Sequence, residues 1–217
     1  MDRTIDLSLK LDAITKRYGR STIFSPISAE IHSAQICAIT GANGSGKSTL
    51  LKIIAGVTEP SSGSSSWSAD RKIIDSRKLQ TLMGFASPYL ELYHELTAVE
   101  HLQFVAELKG KRIVFEECVS ELTQFGLEEK IVRSDRAVKA YSSGMQQRVR
   151  LAMAFMLQPS IILLDEPSSN LDEAGIAILS KRIEESRDRG AIVIIASNDE
   201  AEKKLASSFI DLIPAVK

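Results

Sequence analysis

Cysteine is scarce in this chain. Cys37 and Cys118 are the two thiols among 217 residues; they lie far apart, and neither has CxxC or CxxH spacing around it. That excludes a disulfide framework, argues against a zinc site, and fits a reducing cytosol. An excess of charge of one sign is also lacking, since 27 Lys and Arg against 28 Asp and Glu leave a formal net charge of -1. Such a surface gives no general attraction to nucleic acid or to an anionic membrane. No nucleic-acid partner is expected, and a polyanion would have to be met locally by a few placed groups. The three histidines, His32, His94 and His101, stand in no metal-ligand spacing and are expected on the surface or on helices. No window of the sequence approaches the ~20 apolar residues of a membrane span. The opening stretch MDRTIDLSLKLDAI alternates and carries acids, unlike a basic segment followed by an apolar run. The expectation is a chain that neither crosses a membrane by itself nor is secreted.

With 44% hydrophobic and 25% charged residues, the chain can bury a substantial core. Ile5 to Ile14 and Ile27 to Ile31 alternate as half-buried strands, and Gln35 to Thr40 is a compact apolar run that ends in glycine. KSTLLKIIA, Lys47 to Ala55, suits a helix beneath that glycine-rich turn. The low-complexity stretch EPSSGSSSWS, Glu59 to Ser68, is read as a surface turn between strands, with Trp67 packed on the sheet. Thr97 and Glu100 form a capping-box pattern, and helical spacing runs through Val99 to Leu108, Phe115 to Phe125 and Gly144 to Gln158. Ile161 to Leu164 and Ala191 to Ala196 read as buried parallel strands, with Cys37 a buried apolar residue in the strand before the glycine turn. The fold class is therefore α/β, with a helix-rich insertion.

The strongest chemical signal is GANGSGKST, comprising Gly41, Ala42, Asn43, Gly44, Ser45, Gly46, Lys47, Ser48 and Thr49, set between a strand and a helix. Glycines let backbone N–H groups turn inward around a polyphosphate, the helix N-terminus adds positive potential, and Lys47 reaches the terminal phosphates. Ser48 is the expected Mg2+ ligand. In IILLDEP a buried strand delivers Asp165 and Glu166 to its C-terminal end, where open α/β sheets bind ligands. Asp165 is expected to orient the Mg2+ and its water, and Glu166 to act as general base toward the water that attacks a γ-phosphate.

Between these two lies YSSGMQQRVRLAMAF, Tyr141 to Phe155, which resembles the signature segment of ABC ATPases, commonly LSGGQ followed by QR. The resemblance covers essentially the whole chain. It includes Tyr18 as the adenine-stacking aromatic, the P-loop, a helical insertion, the signature, the acidic pair and SNLD from Ser169 to Asp172 as the D-loop. It implies a P-loop NTPase of ABC type with a mixed or parallel core sheet, an antiparallel β subdomain and a helical insertion. The implied division is a single domain, 1–217, with a nucleotide-binding core at 1–88 and 159–217 and a helical subdomain at about 89–158. Two ATPase subunits, alike or unlike, would face head to tail, and Ser142, Ser143 and Gly144 of one would meet the ATP held by the P-loop of the other. The family further implies a Mg-dependent ATPase, peripheral at the cytoplasmic face of the membrane, that powers a permease subunit on a separate chain. Within the family, the chain resembles the small ATP-binding subunits of haem or cytochrome c maturation exporters and related efflux systems.

The departures from that pattern are specific. The usual Gly-Gly-Gln of the signature is Ser143, Gly144 and Met145, and the Q-loop glutamine falls on Pro88, with Ser87 and Tyr89 beside it as alternative oxygen donors. At the switch position Asn198 replaces histidine; it can hydrogen-bond a γ-phosphate but cannot carry a proton near neutral pH. Slow hydrolysis is expected, and a nucleotide-gated subunit with weak turnover is one alternative. A soluble ABC ATPase of DNA repair or translation is another, against which stands the lack of coiled coils, zinc modules or a second ATPase domain.

Overall fold

The computed structural model describes residues 6–215. The N-terminal part runs β1 (Leu7–Thr15), β2 (Arg17–Tyr18), β3 (Ser21–Thr22), β4 (Ile27–His32), β5 (Ile36–Thr40), α1 (Lys47–Ile54), β6 (Ser62–Ala69), β7 (Lys72–Ile73), α2 (Ser76–Leu82) and β8 (Met83–Ala86). A helical stretch follows: α3 (Ala98–Leu108), α4 (Phe115–Gln124), α5 (Glu129–Val132) and α6 (Ser143–Phe155). The chain then returns to the core with β9 (Ile161–Asp165), α7 (Glu173–Asp188), β10 (Ile192–Ala196), α8 (Glu200–Leu205) and β11 (Ser208–Asp211). The capping box at Thr97 is present, with its Oγ1 accepting from the Glu100 amide and Glu100 Oε2 accepting from the Thr97 amide.

Five parallel strands form the central sheet in the order β11-β5-β10-β9-β8. Every residue of β5, β9 and β10 is buried, because the sheet is covered on both faces. Alternation sorts their side chains. Ile162, Leu164, Val193 and Ile195 join a cluster with the helices α3, α4, α6 and α7, whereas Ile161, Leu163, Ile192 and Ile194 join one with α1 and the antiparallel sheet. That second sheet has the order β4-β1-β6-β7. The expected α/β class, antiparallel subdomain and helical insertion are all found.

The serine-rich stretch departs from expectation. Ser62–Ala69 is not a turn but a full strand, paired antiparallel along β1 from Leu7↔Ala69 to Thr15↔Ser62. Its partner supplies the hydrophobic alternation, and one large side chain anchors it: Trp67 lies opposite Leu9, is 3% exposed, and donates Nε1–H to the Ile54 carbonyl at 2.9 Å. Small serines suffice elsewhere because the ladder bonds are made by the backbone. Ile5, assigned to the first strand from its alternation, lies outside the described residues.

Candidate nucleotide site

The parallel sheet brings three loop starts together at one edge. With β10 between β5 and β9, the turn after Thr40, the Ser197–Asn198 pair and the Asp165–Glu166 pair lie side by side at the C-terminal ends of neighbouring strands. The Gly41–Gly46 turn ends in α1, whose first intrahelical bond runs from Leu50 N to Gly46 O. The amides of Gly46 to Thr49 therefore end the helix without partners in it, a ready cradle for an anion. Gly46 has φ +101°, and a Cβ there would stand 2.5 Å from Ile23 Cγ2 and 2.8 Å from Phe24 Cδ1. The segment after the β2–β3 hairpin thus packs directly under the turn.

Lys47 is buried, yet its Nζ donates to the Gly41 carbonyl at 3.0 Å and lies 3.8 Å from Glu166 Oε1. Ser48 Oγ donates to Asp165 Oδ1 at 2.9 Å. Glu166 sits at φ +43°, strained for a non-glycine residue, and its amide is held by the Ala196 carbonyl at 2.9 Å. Burial pushes its carboxyl pKa up against the opposing pull of Lys47, with Asp165 adding to the rise. A cleft of about 540 Å3 opens over these groups, lined by Gly44, Lys47, Ser48, Pro88, Tyr89 and Glu166. The donors fit a nucleotide with a hard divalent cation: anion-directed amides, one ammonium, and hydroxyl and carboxylate oxygens at one end.

Of the other expected residues, Asn43, Gly44, Gly46 and Thr49 also line the cleft. Asn198 Nδ2 donates to Asn43 Oδ1 at 3.0 Å, tying the switch position to the P-loop. Ala42 and Asn43 are exposed, and Ser45 is buried behind the turn with its amide on the Ala42 carbonyl. Tyr18 is 56% exposed on the hairpin, with Lys16 Nζ 5.3 Å from its ring centroid. Ser142, Ser143 and Gly144 stand apart from the cleft at the N-terminus of α6, where Ser142 Oγ accepts from the Met145 amide. Of the histidines, His101 is buried on α3, its Nδ1 bonded to the Thr97 carbonyl and its Nε2 accepting from the Tyr93 amide. Burial raises the Cys37 thiol to about 11, as suits a packing residue and not a redox switch.

Several supporting groups had no local signal. Gln147 donates to the Pro167 carbonyl at 2.9 Å, and Arg148 bonds Asp172 and the Phe125 carbonyl, so α6 grips the loop after Glu166 at two points. The buried Glu202 accepts from the Ser168 amide at 3.0 Å, across 34 positions of sequence. Only tertiary packing reveals such partners.

Comparison with known proteins agrees with this geometry. A family model described as ABC transporter matches residues 24–169. The lantibiotic transport ATP-binding protein SrtF of Streptococcus pyogenes is 32% identical over 94% of this chain and 86% of its own length. The cytochrome c biogenesis ATP-binding export protein CcmA of Mannheimia succiniciproducens is 30% identical over 88% of each. Among solved structures, the dimeric ATP-binding cassette MJ0796, in a post-hydrolysis state with ADP and Pi, superposes with a TM-score of 0.79 at 25% identity, covering 94% of both chains. Family match, relatives and fold agree with the site, and the chain belongs to the ABC transporter family as one of its ATP-binding and ATP-hydrolysing subunits.

Proposed function

We propose that this subunit binds MgATP between itself and a second ATPase subunit, and uses its hydrolysis to drive a permease subunit carried on a separate chain. The observation that carries the reading is the meeting of Lys47, Ser48, Asp165 and Glu166 at the ends of α1 and β9. Lys47 and the α1 amides offset the charge of the phosphates, which is most of what phosphoryl transfer asks of a protein. Glu166, with its raised pKa, is a better base than an exposed glutamate and takes the proton of the attacking water. Ser48 and Asp165 would hold Mg2+, which when bound neutralises the phosphate oxygens. The exposed ring of Tyr18 receives the adenine, and Asn198 leaves Asn43 to meet the γ-phosphate.

Ser142 and Ser143 are exposed at a helix N-terminus, which favours an anion brought by a second subunit, alike or unlike. Residues 1–88 and 159–217 serve as the nucleotide-binding core and about 89–158 as the helical subdomain of one domain, 1–217, a division supported by the run of helices α3 to α6 between β8 and β9. Next to the loop after β8 an apolar groove of about 310 Å3, with Phe85, Leu90, Tyr93, Phe104 and Leu108 in its walls, suits a segment of the permease. Among the described residues no helix is long and apolar enough to cross a membrane. The proposed place, peripheral at the cytoplasmic face of the membrane, follows from the permease that the subunit would drive.

Two experiments test this. Purification from native membranes is expected to bring down a multi-span protein; its absence under conditions that keep the chain on the membrane counts against the transport role. Glu166→Gln is expected to form a stable dimer at saturating MgATP, alone or with an unlike ATPase subunit from the same membranes, and a monomer in both settings contradicts the shared site. A second reading, a nucleotide-gated subunit of weak turnover, is favoured by Pro88 in the cleft wall and by the Asn198–Asn43 bond.

A further inference from the structure

Asp165 is 1% exposed, and both of its oxygens accept a hydroxyl proton: Oδ1 from Ser48 at 2.9 Å and Oδ2 from Ser87 at 3.1 Å. A carboxylate has no proton to give, so each serine is the donor. Ser87 follows the last residue of β8, is 2% exposed, and also accepts from the Tyr89 amide at 3.3 Å. Its oxygen is thus used on both sides, by the acid and by its own loop. The next residue, Pro88, lines the cleft but has neither an N–H nor a polar side-chain atom. The far end of the same loop is pinned as well, because Arg150 Nε donates to the Leu90 carbonyl at 2.7 Å.

We propose that Ser87 is a positioning residue for the cation end of the site: its hydroxyl fixes the rotation of the Asp165 carboxylate and ties it to the loop that borders the groove. With one donor on each oxygen, the carboxylate cannot turn; with Ser87 removed, one oxygen is free and a buried acceptor is left unmade. Removing a group that orients a metal ligand in this way typically costs about 10–100-fold in metal affinity or activity. The inference rests on the reading of Ser48 and Asp165 as the cation end.

The test uses the full chain with Mn2+ as the probe, following bound Mn2+ by electron paramagnetic resonance in the presence of ATP. Ser87→Ala is expected to raise the half-saturating Mn2+ concentration by about tenfold or more. ATP affinity in EDTA should stay at the wild-type value, and Ser87→Thr, which keeps the hydroxyl, should restore Mn2+ binding. Wild-type Mn2+ affinity in Ser87→Ala overturns the inference, as does a threonine variant as weak as alanine or an equal loss of ATP affinity in EDTA. Should the alanine variant fail to fold, Ser87→Cys, close in size and a much weaker donor, carries the same expectation. Wild-type protein indifferent to Mn2+ would instead refute the reading of Ser48 and Asp165.

Discussion

Gly46 and Gly44 stand two residues apart in the phosphate-binding turn, both with positive φ, yet they should respond very differently to alanine. Gly44 has φ +79° and nothing within 4 Å of a built Cβ, so its substitution costs only the left-handed conformation, about 1–2 kcal/mol. Gly46 has φ +101° and in addition places the new methyl 2.5 Å from Ile23 Cγ2 and 2.8 Å from Phe24 Cδ1. Phe24 is fully buried and has nowhere to go. Overpacking of that kind adds roughly 1–3 kcal/mol, for a total of about 2–5 kcal/mol. In a chain of this size each kcal/mol lowers the melting temperature by about 2–4 °C, so Gly46→Ala should fall by roughly 4–20 °C and Gly44→Ala by roughly 2–8 °C. Thermal unfolding without nucleotide measures both. Adding Ile23→Ala, which removes one of the clashing methyls, should make the Gly46→Ala change less costly than it is in the wild-type background. Equal shifts for the two glycine variants, with no relief from Ile23→Ala, would refute the claim that the segment after the hairpin braces the turn.

Other expectations concern the fold and the chemistry separately. Trp67→Phe leaves the Ile54 carbonyl without its indole donor and should cost about 1–3 kcal/mol in urea unfolding while ATP turnover is retained; an unchanged midpoint would count against Trp67 as the anchor of β6. Because burial raises the Glu166 pKa, its carboxylate is lost earlier as pH falls. The acid limb of kcat/KM should therefore lie above the ~4.3 of a free glutamate, and a limb at or below that value would remove Glu166 as base. Asn198→His breaks the tie to Asn43 and restores a side chain able to carry a proton, so turnover should rise, by up to ~100-fold. A rate equal to or below wild type would show that Asn198 does not limit hydrolysis.

Much of this was legible in the sequence where the signal is local. The P-loop, the acidic pair and the Thr97 capping box are set by residues a few positions apart, and the buried strands announce themselves as apolar β-branched runs. The serine-rich strand was not legible, because its place in the sheet is dictated by β1 and by one tryptophan, while its composition reads as turn. The helix Glu173–Asp188 lacked a strong apolar stripe and was not foreseen; only Gly175, Leu179, Ile183 and Ser186 are buried along it. Likewise Ser87, Gln147 and Glu202 owe their roles to partners far away in the chain, which periodicity cannot show.

Phosphate release from ATP by the purified chain, measured with Mg2+ and with EDTA for wild type and Lys47→Ala, tests the nucleotide site most directly. Ser48 and Asp165 form the cation end and Lys47 lines the cleft beside Glu166, so release should require Mg2+ and should fall to background in the alanine variant while the fold is retained. Release that continues undiminished in Lys47→Ala, or that is indifferent to Mg2+, would contradict the assignment of this site.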